Sequence, residues 1–259
     1  MTAPISALTW AYNEQDRLEG ALTELKPYVD EIIVIDTDST DNTMEIANAH
    51  ATKVIKKPRL LCGDMYKETL ANEAKNDWLL WFYADERWPK KTLETFKTLV
   101  EKEKKYNCFA FMRHEFLDDI RVQWQEGSIT KFHGTLEHPN YQNRLNNKAE
   151  GLYYTELVHA EVFGNVKVCP MPPEYYFEHR KSRIGQEFDN LRTYVWMKHL
   201  IWKYEGCEIE PYKTYVNSYK RIVRETLDSR KEHIAEQEWW KWREHWVAEE
   251  AIPELKGTA

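Results

Sequence analysis

The chain has 259 residues, a net charge of -7, 42% hydrophobic residues and 31% charged ones. That length buries a sizeable core, either in one large α/β domain or in a smaller one with a helical appendage. The acidic balance disfavours polyanions, so a nucleic-acid substrate would need a local basic patch working against it.

The four cysteines, Cys62, Cys108, Cys169 and Cys207, form no CxxC pair. This points away from zinc sites and disulfides and towards a reducing compartment. The opening residues show no basic stretch followed by an apolar run, and no segment approaches the ~18 apolar residues of a membrane span. The expectation is a soluble, cytoplasmic protein. The 11 Trp and 15 Tyr supply rigid amphipathic faces that suit clefts and interfaces.

In chain order, Ile5 to Trp10 is a short apolar run, followed by helical spacing of Leu18, Leu22 and Leu25 up to Pro27. Glu31 to Asp36 is a β-branched run ending in an acid. Ser39 or Asp41 then caps a helix carrying Met44, Ile46 and Ala47. Lys53 to Lys56 reads as a weak third strand, Asp64 to Lys75 as helix, and Trp78 to Tyr83 as a strongly apolar strand. Thr92 to Lys105 reads as helix and Cys108 to Arg113 as strand. This β-α alternation predicts a mostly parallel sheet flanked by helices. Ligands of such sheets bind beyond the carboxyl ends of the strands, which singles out Ala11, Tyr12, Asp36, Asp38 and Asp85.

Residues 114–180 are rich in His, Asn, Gly and aromatics, with short candidate strands at Tyr153 to Thr155 and Glu161 to Phe163. Polar loops over a rigid scaffold are where further binding contacts are expected. Beyond Gln186 the texture is helical and charged. The expected organisation is a ligand-binding α/β half at 1–115, a second, loop-rich half of the same domain at 116–185, and a helical extension at 186–259.

Three blocks carry a family resemblance. Ile5-Ser-Ala-Leu-Thr-Trp-Ala-Tyr-Asn-Glu14, Ile33-Val-Ile-Asp-Thr-Asp-Ser-Thr-Asp-Asn-Thr43 and Asp77-Trp-Leu-Leu-Trp-Phe-Tyr-Ala-Asp-Glu86 occur in this order. Together they resemble the inverting family 2 glycosyltransferases, best over residues 1–115. Asn143-Arg144-Leu145 and Leu157-Val-His-Ala-Glu161 are similar to segments of bacterial members that build lipopolysaccharide core and related glycans. The resemblance implies a GT-A-like (Rossmann-like) fold and transfer of a sugar, with inversion, from a nucleotide-sugar donor, UDP-linked as the natural guess, to a glycan or other hydroxyl acceptor.

The resemblance also implies roles. Asp36 would contact the base or ribose, with Ala11, Tyr12 and Glu14 beside it and Asp38 where the family usually has Gly. Lys67, Ala84 and Arg183 would adjoin the donor, Arg183 within the basic segment that begins at His179. Asp85 would hold Mg²⁺ or Mn²⁺, helped by His179. Tyr83 replaces the first acid of the family's D-x-D, and phenol, titrating near ~10, is a poor ligand for such ions. Candidate general bases are Glu161, Asp118, Asp119 and Glu156, with His159 nearby. Ala160 stands where the bacterial segment has Glu, one residue before Glu161. Arg144 would position the acceptor.

Trp239, Trp242 and Trp246 share one face of a C-terminal helical pattern. Packing on the main domain, homo-oligomer formation, acceptor binding and peripheral membrane contact are the readings, in that order. The rival functions are a transferase acting on modified phage-type DNA bases, a nucleotidyltransferase, and a non-catalytic nucleotide-sugar-binding relative. The charge weighs against the first. The second lacks a glycine-rich basic loop after the first strand.

Overall fold

The computed structural model describes residues 3–60, 63–122, 141–155, 157, 162–182, 193, 196–197 and 200–230, with side chains up to residue 222. The described residues divide into two compact units. The first is drawn from Met1–Lys57, Tyr66–Thr155 and Ala160–Gln186, the second from Pro58–Met65, Glu156–His159 and Glu187–Ala259.

The first unit is built on β1 (Ile5–Ala11), β2 (Glu31–Asp36), β3 (Lys53–Lys56) and β4 (Trp78–Trp81), mutually parallel in the order β3-β2-β1-β4. Nearly every residue of β1, β2 and β4 is buried, as continuous apolar runs covered on both faces should be. Helix α1 (Leu18–Leu25) turns Leu18, Ala21, Leu22 and Leu25 inward, and α2 (Thr43–His50) buries Thr43 and Ala47. The amino-terminal end of the sheet is closed by acids. Asp30 accepts from the Ile5 N–H at 2.8 Å, and buried Glu31 accepts from the Ser6 hydroxyl at 2.7 Å and the Lys75 N–H at 2.9 Å.

The sheet continues through β8 (Tyr141–Asn147), β6 (Cys108–Leu117), β10 (Tyr176–Lys181) and the two-residue β5 (Glu86–Arg87), with β7 (Ile120–Val122) and β9 (Val168–Pro170) also pairing with β6. The β10 and β9 pairings with β6 are parallel, whereas β4–β8, β6–β8, β6–β7 and β5–β10 are antiparallel. The α/β class with helices flanking the sheet is as expected. The added antiparallel half was not read from the sequence.

Boundaries moved in several places. The apolar strand stops at Trp81, so Tyr83 and Asp85 lie in the turn before β5. The predicted helix at 92–105 is two helices, α4 (Lys90–Leu93) and α5 (Phe96–Lys102). The predicted helix at 64–75 is a 3₁₀ turn followed by α3 (Lys67–Glu73). Tyr153 and Phe163 form a bridge, joining the two short candidate strands.

In the second unit, α6 (Tyr212–Arg230) is the long helix, and Trp196, Met197, Leu200, Tyr215, Val216 and Tyr219 are buried. Trp239, Trp242 and Trp246 lie outside the described residues. No helix among the described residues is long and apolar enough to cross a membrane.

Candidate functional site

The parallel register sets Ala11 of β1 opposite Asp36 of β2 at the carboxyl end of the sheet. Asp36 is 1% exposed. Its Oδ2 accepts from the Ser39 N–H at 3.2 Å, while Oδ1 is buried without a hydrogen-bond partner in the structure. The loops leaving the two strands are latched to each other. Asn13 N–H donates to the Ser39 hydroxyl at 3.0 Å, and Asn13 Oδ1 accepts from the Thr40 N–H at 2.8 Å. The Glu14 N–H donates to Thr43 Oγ1 at 2.7 Å, and Asp41 accepts from the Thr43 N–H at 3.0 Å, although the N-cap position of α2 is Asn42 and neither Ser39 nor Asp41. Asp38 adopts φ of 59° and Asn13 φ of 51°. Asp and Asn are among the few non-glycine residues that visit this left-handed region, so the turn is kept where the family usually has Gly.

Asp85 occupies the turn between β4 and β5, with its carbonyl accepting from the Arg180 N–H at 2.8 Å. Arg87 fastens the same turn, donating to the Ala84 and Glu86 carbonyls at 2.9 and 2.7 Å and to the Arg17 carbonyl at 3.1 Å. Gly20 leaves room for that guanidinium, since a Cβ there would lie 3.0 Å from Arg87 Nη2.

Across β5, β10 and β6, the register aligns Glu86, His179 and Glu115 in one row. His179 is 9% exposed and lies between two carboxylates. Its Nε2 is 3.3 Å from Asp85 Oδ2 and its Nδ1 is 2.6 Å from Glu115 Oε2. Lys181 Nζ is 3.4 Å from the same Asp85 oxygen, and Arg113 pairs with Glu115. Burial alone would raise the Asp85 carboxyl, but His179, Lys181 and Arg17 outweigh it and hold it well below the usual range. Burial pushes the His179 imidazole down, yet Asp85 and Glu115 more than compensate, and it stays raised.

Glu86 and Arg144 form a second buried pair at 2.8 Å, with side chains 0% and 6% exposed. Arg144 falls where the β6–β8 register shifts between Phe109 and Ala110, a bulge that turns its side chain towards Glu86. Its guanidinium lies 5.0 Å from the Tyr83 ring and 4.9 Å from Phe177. Tyr83 also packs edge-on against Trp10, with centroids 4.8 Å apart. The position of the missing D-x-D acid is therefore aromatic and linked to Arg144.

The other sequence candidates are distributed unevenly. Glu14 makes a two-pronged pair with Arg17, both bonds at 2.8 Å. Burial raises its carboxyl to about 7 against the pull of Arg17. Tyr12 is half-buried, Ala84 is buried, and Lys67 is buried at the start of α3. Asp118 and Asp119 form the two-residue β6–β7 hairpin turn, with φ of 51° and 62°, and Asp119 is exposed and pairs with Arg180 at 3.1 Å. Glu156, His159, Glu161 and Arg183 lie outside the described residues. The basic segment that begins at His179 starts as strand, since His179 and Lys181 belong to β10.

Glu115, Arg113 and Arg87 were not singled out in the sequence, and Lys181 entered only as part of the basic segment that begins at His179. The available signal was an acid two residues from an arginine inside an otherwise apolar run, because buried charges occur almost only in pairs.

Among the described residues no group of three or more His, Cys, Asp and Glu side chains is arranged to hold a metal. Asp85 and His179 are a facing pair of potential ligands. That suits an ion such as Mg²⁺, which keeps waters and substrate phosphates and needs few protein ligands.

In open α/β sheets ligands bind beyond the carboxyl ends of the strands, which is where Asp36 and Asp85 lie. The glycosyl transferase family 2 model matches residues 6–165, and the chain belongs to that family. Its helix-flanked sheet is of the α/β class expected from the resemblance. An uncharacterized glycosyltransferase of Rickettsia bellii is 34% identical over 112 residues, covering 43% of this chain and 37% of that protein. Another, from Rickettsia felis, is 41% identical over 87 residues, covering 33% and 30%. The match thus spans about a third of these relatives. Glucosyl-3-phosphoglycerate synthase from Mycobacterium tuberculosis, solved with Mn²⁺, UDP and glucosyl-3-phosphoglycerate, is 18% identical at a TM-score of 0.38 over 44% of each chain.

Proposed function

We propose that the chain transfers a sugar, with inversion, from a nucleotide-sugar donor to an acceptor hydroxyl. The observation that carries this reading is the facing pair of Asp85 Oδ2 and His179 Nε2 at 3.3 Å, beyond the parallel strands. Hard oxygen and imidazole nitrogen together fit a divalent cation such as Mn²⁺. When bound, that cation would offset the charge of the departing diphosphate.

The chain's own groups perform the remaining work. The unpartnered Oδ1 of Asp36 is an acceptor for a base N–H or a ribose hydroxyl, and a uracil N–H suits it, which favours a UDP-linked donor. Tyr12 and Glu14, on the latched loop after β1, flank that position. Lys181 places a fixed positive charge beside Asp85, and Arg183 extends the same basic segment. The acceptor hydroxyl must lose a proton as it attacks the anomeric carbon from the face opposite the diphosphate. We assign that proton to Glu161 on its place in the family-like segment Leu157-Val-His-Ala-Glu161, in preference to Asp119, which pairs with Arg180 within a hairpin turn.

Turnover of a panel of UDP-, GDP-, CDP- and TDP-sugars with Mn²⁺ tests the proposal. Release of nucleoside diphosphate from at least one donor, lowered about 100-fold or more in Glu161→Gln, is the expected result. No release from any of them would overturn it.

A further inference from the structure

We infer that Glu115 is a positioning residue, holding the His179 imidazole so that its Nε2 lone pair faces the cation shared with Asp85. The inference rests on the reading of Asp85 and His179 as the cation site, and it concerns a residue outside the sequence motifs quoted above.

The two ring nitrogens of His179 have different surroundings. Nδ1 meets Glu115 Oε2 at 2.6 Å, inside the sheet, whereas Nε2 meets Asp85 Oδ2 at 3.3 Å. The short contact is on the side away from Asp85. Glu115 is 4% exposed, and its other oxygen is ion-paired with Arg113, which restrains its carboxylate. The parallel β6–β10 register sets Glu115 directly beside His179, so backbone pairing fixes the distance. A carboxylate accepting the Nδ1 proton leaves Nε2 as the nitrogen that gives up its proton when a cation binds. It also fixes the ring plane and raises the basicity of the ligating nitrogen. A site that loses one of its two D-x-D acids to Tyr83 has one carboxylate ligand fewer, so a well-oriented histidine carries more of the affinity.

The test is Mn²⁺ binding to the intact chain without nucleotide, read from the electron-paramagnetic signal of free Mn²⁺. Glu115→Leu should weaken binding about 10–100-fold, and Glu115→Gln, which keeps an acceptor for Nδ1–H, should recover most of that loss. In a His179→Gln background, Glu115→Leu should add less than about twofold, because its effect runs through the ring. Ring-¹⁵N resonances of the unmodified chain saturated with Mg²⁺ should show Nδ1 protonated and Nε2 bare.

Mn²⁺ binding by Glu115→Leu equal to wild type, an undiminished loss in the His179→Gln background, or an Nε2-protonated ring would overturn the inference. The ring measurement decides even where the Leu variant fails to fold. Failure of the wild type itself to bind Mn²⁺ would instead overturn the cation site, and this inference with it.

Discussion

Asp85 and Glu86 are neighbours in sequence, yet their side chains have opposite tasks. Asp85 faces His179 and Lys181, while Glu86 is fully buried and spent on Arg144. Arg144 was expected to position the acceptor, and its buried pairing makes a stability effect the dominant consequence of losing it. Arg144→Met strands Glu86 as an unpaired buried carboxylate and should cost about 3–5 kcal/mol in urea denaturation. A fully stable variant with an altered acceptor KM would favour the acceptor role instead.

Glu14 supplies a pH test at the same scale. Burial raises its carboxyl to about 7 from 4.5. Between those values the folded state holds a proton that the unfolded chain releases. The associated stability is therefore complete below pH 4.5 and is lost as the pH rises through about 7. Glu14→Gln should gain stability relative to wild type on going from pH 4.5 to 8, followed by urea denaturation at each pH. A difference that stays constant with pH would contradict this assignment.

At the scale of elements, the strands that were legible are those buried on both faces. β1, β2 and β4 are unbroken apolar or β-branched runs, and their parallel pairing follows from the helices between them. β8 and β10 escaped because their sequences, YQNRLNN and YFEHRK, look like polar loop. Their charged and amide groups are instead matched across the sheet, Arg144 to Glu86 and His179 to Glu115, and no pattern within one segment reveals a partner on another. The same reasoning explains the site. Asp36 and Asp85 stood out as strand-end acids, whereas Glu115 sits mid-strand and acquires meaning only when β10 is laid beside β6.

The turn after β2 offers a prediction of its own. Asp38 holds φ of 59° where a β-branched residue is strongly disfavoured. Asp38→Val should cost about 1–2 kcal/mol, and Asp38→Gly should stay within about 0.5 kcal/mol of wild type, both by chemical denaturation. Equal stabilities for the two variants would show that the left-handed conformation is not maintained. Because this turn is latched to Asn13, the Val variant should also loosen the loop that carries Tyr12 and Glu14.

For the whole molecule, a net charge of -7 coexists with a carboxyl-end site that gathers Lys181, His179 and Arg113 around two acids. The general field disfavours polyanions, and on the proposed function the local charges would receive a compact diphosphate, which suits a small donor better than a long nucleic acid. The central claim is that a cation held by Asp85 and His179 joins a nucleotide donor to this surface. Its most direct test is the thermal unfolding of wild type and Asp85→Ala with UDP, with and without Mn²⁺. At nucleotide concentrations about 100-fold above Kd, binding to the folded state alone adds about 2.7 kcal/mol. A rise in Tm that requires both UDP and Mn²⁺ in the wild type, and is absent in Asp85→Ala, is the expected result. An equal rise in the variant, or no rise with UDP in either protein, would contradict the account.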